Sequence, residues 1–323
     1  MLFSTEMEAL RAPAENALRN SLRVKEGERL LIVTDRNKLK IADALYDAAL
    51  SLGARPHMLI MEPAKINGEE PSETVAEAMK IADVVLAPTT RSLTHTNARR
   101  EACKKGARIV TLPGILEDTF RRALDVDYEE MEAVTRKLAK LLSEARNAQL
   151  RSPSGTALAL HLGNEGRAAC GTIRTPGQCG NLPAGEAITA PVSCDGIVVI
   201  DRMGSLVTEP TRVVFSEGYA REIQDNESGR RLRALLEEAK SQDGNENAAF
   251  IAEFAMGTNP KAKVIGNVLE DEKVLGTAHI AFGDNTSYPG GRNYSVLHQD
   301  GIIFKPTIEL DGRTIMENGE LRV

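Results

Sequence analysis

The chain has 323 residues and a mass of 35.0 kDa, with 42% hydrophobic and 27% charged residues. This length suits two domains, and the composition excludes disordered, collagenous and coiled-coil proteins. A formal charge of −6 and only 4% aromatic residues provide neither the basic surface nor the stacking side chains that nucleic-acid binding requires. We therefore expect a globular protein that does not bind nucleic acid.

No part of the sequence contains the roughly 18 to 20 uninterrupted apolar residues that cross a bilayer. The N-terminus also lacks the basic-then-apolar order of a signal peptide. A cytoplasmic protein with no membrane partner is therefore expected. The four cysteines show no C-x-x-C spacing, so the sequence indicates neither a zinc ribbon nor a redox pair.

Residues 1–150 alternate short apolar strands with segments of helical periodicity. The predicted strands are Leu30–Thr34, His57–Met61, Val84–Ala87 and Arg108–Leu112, and the predicted helices between them are Lys38–Leu52, Ser72–Ile81 and Thr94–Lys105. From Leu116 to Asn147 the pattern is again helical. Continuously apolar strands joined by helices are typical of a parallel sheet covered on both faces. The sequence thus predicts an α/β protein whose N-terminal domain, residues 1–150, is a doubly wound parallel sheet.

Short strands and turns replace this pattern after Ser152–Gly155. The predicted elements are strands at Ala157–Leu162, Gly196–Ile200 and Leu206–Phe215, a helix at Ser228–Lys240, and hairpins in Gly301–Val323. Within that tail, Asp311-Gly312 and Asn318-Gly319 are dipeptides of the hairpin-turn type. We place a domain boundary near residue 150 and predict a C-terminal α+β domain over residues 151–323.

Several common catalytic sites are excluded by spacing. The sequence contains no P-loop, no G-x-G-x-x-G, no H-E-x-x-H and no G-x-S-x-G motif. The segment His298-Gln299-Asp300 is more informative. Because alternate residues of an extended segment point the same way, it presents an imidazole and a carboxylate side by side. Such a pair can bind a metal ion.

Three other residues strengthen the metal hypothesis. His279 lies among small residues, which leave room for an ion or a substrate. Glu253 and Glu186 stand between apolar neighbours, where a buried carboxylate without a cationic partner is costly. No Lys or Arg is close to either glutamate in the sequence. A divalent metal ion would satisfy both, so we predict a metal-binding C-terminal domain.

Four segments of the second half resemble a known family. They are Asn181–Pro191 (NLPAGEAITAP), Ala252–Pro260 (AEFAMGTNP), Gly276–Asn285 (GTAHIAFGDN) and Ser295–Gly301 (SVLHQDG). In order and in ligand type, they are similar to the metal-ligand segments of the M29 metallopeptidases, the aminopeptidase S and T group. Arg91–Arg99 and Gly106–Gly114 also resemble that superfamily. The resemblance implies a homo-oligomer, usually a dimer, whose metal ligands are Glu186, Glu253, His279, His298 and Asp300.

This superfamily also includes 2,5-dihydroxypyridine 5,6-dioxygenase, an iron(II) ring-opening enzyme, so the resemblance implies two activities. An aminopeptidase would use two divalent ions (Zn, Co or Mn), whose charge is balanced by three carboxylates and a hydroxide, to hydrolyse N-terminal residues from small peptides. A dioxygenase would need one Fe(II), held by His279, His298 and Asp300, and would act on a small molecule. A non-catalytic binder that has kept the fold is the third hypothesis. The number of ligands favours the aminopeptidase.

Catalytic roles follow from the peptidase hypothesis. Glu253 or Glu186 would accept a proton from the metal-activated water and pass it to the leaving amine. The position of the family's catalytic tyrosine is matched by Thr286, and Tyr288 lies two residues later. We therefore name Tyr288 as the candidate hydrogen-bond donor to the oxyanion.

One loop of the first half is also a candidate. His95, flanked by Thr94 and Thr96, follows the third predicted strand, where parallel sheets place the loops that contact ligands. We predict that this loop closes the substrate cleft and that His95 is a catalytic residue. The alternative is that Thr94 or Thr96 only caps the next helix.

Overall fold

Contacts along the chain divide residues 2–323, which the computed structural model describes, into two units. The first contains the residues up to Glu130 together with Gly171–Ala184, and the second contains Met131–Cys170 together with Gly185–Val323. The units interleave because the segment after Cys170 returns to the first unit. They therefore do not coincide with a single boundary near residue 150.

Helices occur in both units. They are α1 (Leu2–Asn16), α2 (Leu39–Ser51), α3 (Glu73–Ile81), α4 (Asn97–Lys104), α5 (Glu117–Ala123), α6 (Tyr128–Glu144), α7 (Glu227–Asp243) and α8 (Val268–Asp271), with short turns of π-helix at Ala17–Ser21 and of 3-10 helix at Arg36–Lys38 and Asn247–Ala249. Local capping sets the ends of α7: the Asn226 side chain accepts a hydrogen bond from the backbone of its first turn, and Gly244 ends it in the left-handed conformation. Over residues 2–323, no helix is both long and apolar enough to cross a membrane.

The strands belong to one parallel and two antiparallel sheets. They are β1 (Arg29–Asp35), β2 (Arg55–Met61), β3 (Val84–Ala87), β4 (Arg108–Thr111), β5 (Asn147–Arg151), β6 (Ala157–His161), β7 (Arg167–Ala169), β8 (Cys179–Asn181), β9 (Glu186–Thr189), β10 (Ser193–Ile200), β11 (Thr211–Ser216), β12 (Tyr219–Ile223), β13 (Ile251–Gly257), β14 (Thr277–Gly283), β15 (His298–Phe304), β16 (Thr307–Leu310), β17 (Arg313–Glu317) and β18 (Glu320–Leu321).

The parallel sheet lies at the centre of the first unit. Its strand order is β2-β1-β3-β4-β8, and every neighbouring pair is parallel. Strands β3 and β4 are buried along their whole length, whereas the edge strand β2 is partly exposed. Helices α2, α3 and α4 connect successive strands. The predicted parallel sheet is thus confirmed, with its strands and helices close to their expected positions.

Two predicted elements differ from the structure. The helical stretch Leu116–Asn147 is divided into α5 and α6, because the Asp127 carboxylate accepts hydrogen bonds from the first backbone N–H groups of α6 and starts a new helix there. The predicted strand Leu206–Phe215 is shorter in the structure, where the strand begins at Thr211. Pro210 precedes it, and a proline has no N–H group to contribute to a sheet.

The second unit is built on the two antiparallel sheets. One has eight strands in the order β12-β11-β10-β6-β5-β16-β17-β18, and the other has five in the order β15-β14-β13-β9-β7. Apolar side chains from α6 and from both sheets form one core, to which Leu142, Leu158, Phe254 and Ile280 belong. The predicted hairpins are present in the C-terminal segment. The fold is thus mixed α/β, with the predicted ligands all on the five-stranded sheet.

Candidate metal centre

The five predicted metal ligands lie on one face of the five-stranded sheet, here called the ligand face. They are Glu186 on β9, Glu253 on β13, His279 on β14, and His298 and Asp300 on β15. Ala281 pairs with Glu253 on one side and with Asp300 on the other, and Ala255 pairs with His279. Directly opposite residues of antiparallel strands share a face, as do alternate residues of one strand. The register therefore brings together side chains that are up to 114 positions apart.

Small residues occupy the positions between these ligands. Ala255 and Ala281 project from the ligand face, and Gly257 pairs with Glu186 at the end of β13. At Gly257 a Cβ atom would overlap the backbone carbonyl of Val274. The glycine thus allows the chain around Val274 to lie directly against the sheet, and the alanines leave space above it.

Glu253 is the hub of the hydrogen-bond network. Its side chain is only 3% exposed. One carboxylate oxygen lies 3.1 Å from His279 Nε2, and the other lies 3.2 Å from His298 Nε2 and accepts a 2.6 Å hydrogen bond from Tyr288 Oη. Burial raises the pKa of Glu253, but the hydrogen bonds and charges of the two histidines outweigh it and hold the pKa well below its usual range. Glu253 is therefore a carboxylate.

His298 is oriented by the backbone. Its Nδ1 lies 2.7 Å from the carbonyl oxygen of Asp284. Since a carbonyl only accepts hydrogen bonds, Nδ1 carries a hydrogen and Nε2 faces the carboxylates of Glu253 and Asp300, the latter at 3.5 Å. Such a backbone contact is typical of metal-binding histidines, because it fixes the ring and the tautomer. Burial lowers the pKa of His298, but Asp300 and Glu253 raise it well above its usual value.

His279 is fully buried, and its Nε2 faces two carboxylates. Glu253 lies at 3.1 Å and Glu186 at 3.4 Å. Burial lowers the pKa of His279, but hydrogen bonds to Glu186 and Glu253 and their charges raise it to about 10. Carboxylates that converge on imidazole nitrogens need a cation, which is either a bound proton or a metal ion. Oxygen atoms of Glu253 and Asp300 and a nitrogen of His279 lie within 4.8 Å of one another, and this nitrogen and oxygen donor set suits a divalent transition metal.

Lys273 is a member of this cluster that sequence reasoning missed. Its buried ammonium lies 2.5 Å from Glu186 Oε1 and also contacts Glu272. Glu186 thus has a cationic partner in the fold, although no Lys or Arg is close to it in the sequence. Burial raises the pKa of Glu272 to about 8, against the lowering effect of Lys273. No local signal marks these two residues, because Glu270–Lys273 reads as an ordinary run of surface charge.

The remaining predicted residues lie in two places. Tyr288 is at the ligand face, since it donates to Glu253 and its ring centre is 5.9 Å from that of His298. The exposed Thr286 hydroxyl instead donates to the Asp284 carboxylate. His95 is exposed on the turn between β3 and α4, in the first unit. Its catalytic role stays a prediction.

One threonine of that turn caps the next helix, as the alternative expected. The Thr96 side chain accepts a hydrogen bond from the backbone N–H of Arg99 and so caps α4. Thr94 makes a different contact, a hydroxyl–hydroxyl hydrogen bond of 2.8 Å with Thr111 at the end of β4. Thr96 therefore has a structural role that is independent of any ligand.

Comparison with known proteins identifies one family, and two of the similar solved structures cover nearly the whole chain. The family model described as 2,5-dihydroxypyridine 5,6-dioxygenase (NicX) matches residues 11–323. A structure of 2,5-dihydroxypyridine dioxygenase from Pseudomonas putida KT2440 is 19% identical over 97% of this chain and 96% of that chain, with a TM-score of 0.79. Wild-type AmpT from Thermus thermophilus is 20% identical over 98% of this chain and 99% of that chain, with a TM-score of 0.73. At these identities the two structures show a shared fold. The search of curated proteins gave no match.

Proposed function

The chain belongs to the 2,5-dihydroxypyridine 5,6-dioxygenase family, in the superfamily that also contains the M29 metallopeptidases, and from this membership we propose a non-haem iron(II) dioxygenase. Its substrate would be a hydroxylated aromatic N-heterocycle of the dihydroxypyridine type, whose ring it opens. This reverses the order that the number of ligands alone suggested, in which the aminopeptidase came first. The family match over residues 11–323 supports the dioxygenase.

The observation that carries the proposal is the arrangement of His279, His298 and Asp300. Two imidazole nitrogens and a carboxylate converge on one face, and one of the two rings is fixed by the Asp284 carbonyl. Two histidines and one carboxylate form the ligand set of many non-haem Fe(II) oxygenases, which leaves coordination positions open for substrate and oxygen. Bound Fe(II) would supply the one-electron chemistry that dioxygen needs to react with an aromatic ring.

Glu253 would accept a proton from the substrate, and Tyr288 would orient Glu253. Glu253 is an ionised carboxylate beside the ligands, and we assign it the role of accepting the proton of a substrate hydroxyl group. Tyr288 Oη donates to Glu253 at 2.6 Å and thereby fixes which way that carboxylate faces. We retain His95 as a proposed substrate contact, because it follows a strand at the carboxyl edge of a parallel sheet.

The test is oxygen consumption. Metal-free protein is loaded anaerobically with Fe(II), and dioxygen uptake is measured with 2,5-dihydroxypyridine. We expect one O₂ consumed per ring opened, with both oxygen atoms in the product. Asp300→Asn should abolish the reaction, whereas Asp225→Asn, which changes an exposed carboxylate, should leave it unchanged. Absence of oxygen uptake from a panel of dihydroxylated pyridines, with iron bound, contradicts the proposal.

An aminopeptidase is the second candidate, and a specific observation favours it. Glu186 lies on the ligand face with the other four ligands, although a single-iron site does not need it. Two divalent ions bound by all five residues could activate water and polarise a peptide carbonyl. Hydrolysis of aminoacyl-anilides by protein loaded with Zn, Co or Mn, without oxygen uptake, would favour this candidate.

A further inference from the structure

Two groups of side chains on the ligand face could each hold an ion. Glu253, His279 and Asp300 form the first, and Glu186, Glu272 and His279 form the second. The second group already contains a cation of the protein, because Lys273 Nζ lies 2.5 Å from Glu186 Oε1 and also contacts Glu272. Two of its three potential ligands therefore already pair with an ammonium group.

Lys273 is fixed in this position by its backbone. Its carbonyl oxygen accepts a 2.8 Å hydrogen bond from Asn259 N, and Leu275 N donates a 3.0 Å hydrogen bond back to Asn259 O. The absence of a side chain at Gly257 lets this segment lie against β13. Gly257 is also the residue that pairs with Glu186 in the sheet. The two charged side chains thus lie on segments that backbone hydrogen bonds and strand pairing hold beside the end of β13.

The Lys273 side chain is also buried together with its two carboxylate partners. It is only 3% exposed, and the side chains of Glu186 and Glu272 are 10% and 14% exposed. A metal ion that entered the second group would have to displace the ammonium from both carboxylates. A buried ammonium left without anionic partners is strongly unfavourable.

The first group differs in this respect. Among residues 2–323, neither Lys nor Arg forms an ion pair with Glu253 or Asp300. Their partners are the imidazoles of His279 and His298, which bind a metal ion in their neutral form. Entry of an ion into the first group therefore displaces no ammonium or guanidinium group.

We propose that the ammonium group of Lys273 takes the place of a second metal ion. The ligand face then binds one divalent ion, through His279, His298 and Asp300 with Glu253 beside it, and Glu186 is the partner of Lys273 and no metal ligand. The inference deepens the proposed function and rests on it, since a dioxygenase of this type needs a single ion. Lys273 is in this sense the residue that sets the number of ions.

The test counts metal ions and does not depend on the reaction. Metal-free protein is equilibrated with Zn²⁺ by dialysis, and bound zinc per chain is measured by elemental analysis. We expect one ion for the wild-type protein. In Lys273→Met, which has a side chain of similar length without charge, Glu186 and Glu272 are free to bind, and we expect two ions. Lys273→Arg keeps a cation and, as the matched control, should bind one.

The metal counts decide whether Lys273 takes the place of a second ion. Two ions bound tightly by the wild-type protein overturn the inference, as does a folded Lys273→Met that still binds one. If Lys273→Met does not fold, Lys273→Gln, which can still donate a hydrogen bond to Glu186, replaces it, and the wild-type count is decisive in any case. One ion without oxygen uptake refutes the dioxygenase and leaves the role of Lys273 intact, whereas two ions with oxygen uptake refute only the role of Lys273.

Discussion

Raising the pH should tighten metal binding steeply, because protons and metal compete for the imidazole nitrogens of His279 and His298. Burial lowers the pKa of His279, but Glu186 and Glu253 raise it to about 10. The pKa of His298 is also held well above its usual value, by Asp300 and Glu253 acting against burial. A metal ion binds only the neutral imidazole, so each histidine that becomes a ligand must release its proton.

The size of the effect follows from these pKa values. Neutral pH is about three units below the His279 pKa of about 10, so deprotonation of His279 at this pH costs roughly 4 kcal/mol. Each added pH unit should therefore strengthen binding about tenfold for one displaced proton and about a hundredfold for two. The stability of the metal-free protein should instead fall as the pH rises. Since the folded pKa of His279 lies above its ordinary 6.5, its contribution to stability, on the order of 5 kcal/mol, is complete below about pH 6.5 and is lost as the pH rises toward 10.

The assay is a series of Zn²⁺ affinities between about pH 6 and pH 9, each measured against a chelator of known affinity. Calorimetry in buffers of different ionisation enthalpy counts the protons released. His57→Gln is the control, because His57 is exposed on β2 in the other unit, and it should leave the slope unchanged. An affinity that rises less than about tenfold per pH unit would show that both imidazoles are already neutral, and would refute the reasoning.

Three substitutions test other contacts. Tyr288→Phe removes a hydrogen bond to an ionised carboxylate and should lower the free energy of unfolding in urea by about 1.5–3 kcal/mol, without changing the metal count; an unchanged stability would contradict the contact. Arg108→Met removes a buried guanidinium 2.5 Å from Glu28 and should cost about 3 kcal/mol in the same assay. Gly257→Ala puts a methyl group against the Val274 carbonyl and should cost roughly 1–3 kcal/mol, measured by thermal denaturation; full stability would show that the segment can move aside.

Much of the first unit could be predicted because its central strands are buried on both faces. Val84–Ala87 and Arg108–Thr111 are continuously apolar except at their ends. The helix between them, α4, begins at a cap residue and is followed by a glycine. The return of the chain to the first unit could not be predicted. Its strand β8 consists of Cys179–Asn181 only, and three residues without large apolar side chains carry no periodic signal.

The candidate site was predictable to the extent that it depends on strand periodicity. The alternation of His298 and Asp300 is local, and so is the setting of Glu253 among apolar residues. The ion pair between Glu186 and Lys273 joins residues 87 positions apart. It depends on how the chain returns past Gly257, which no local pattern shows. The sequence around Glu186, which contains no nearby Lys or Arg, therefore does not show the partner that the fold brings to it.

The same ligand face can serve two kinds of chemistry, and the number of ions decides between them. His279, His298 and Asp300 suit a single ion, and adding Glu253 and Glu186 makes a set for two. Under our proposal, the ammonium group of Lys273 pairs with Glu186 and so lowers the number of bound ions from two to one. We therefore expect the charge next to the ligands to bear on the reaction as well as the ligands themselves. Metal stoichiometry, measured beside oxygen uptake and peptide hydrolysis, connects that charge to the reaction.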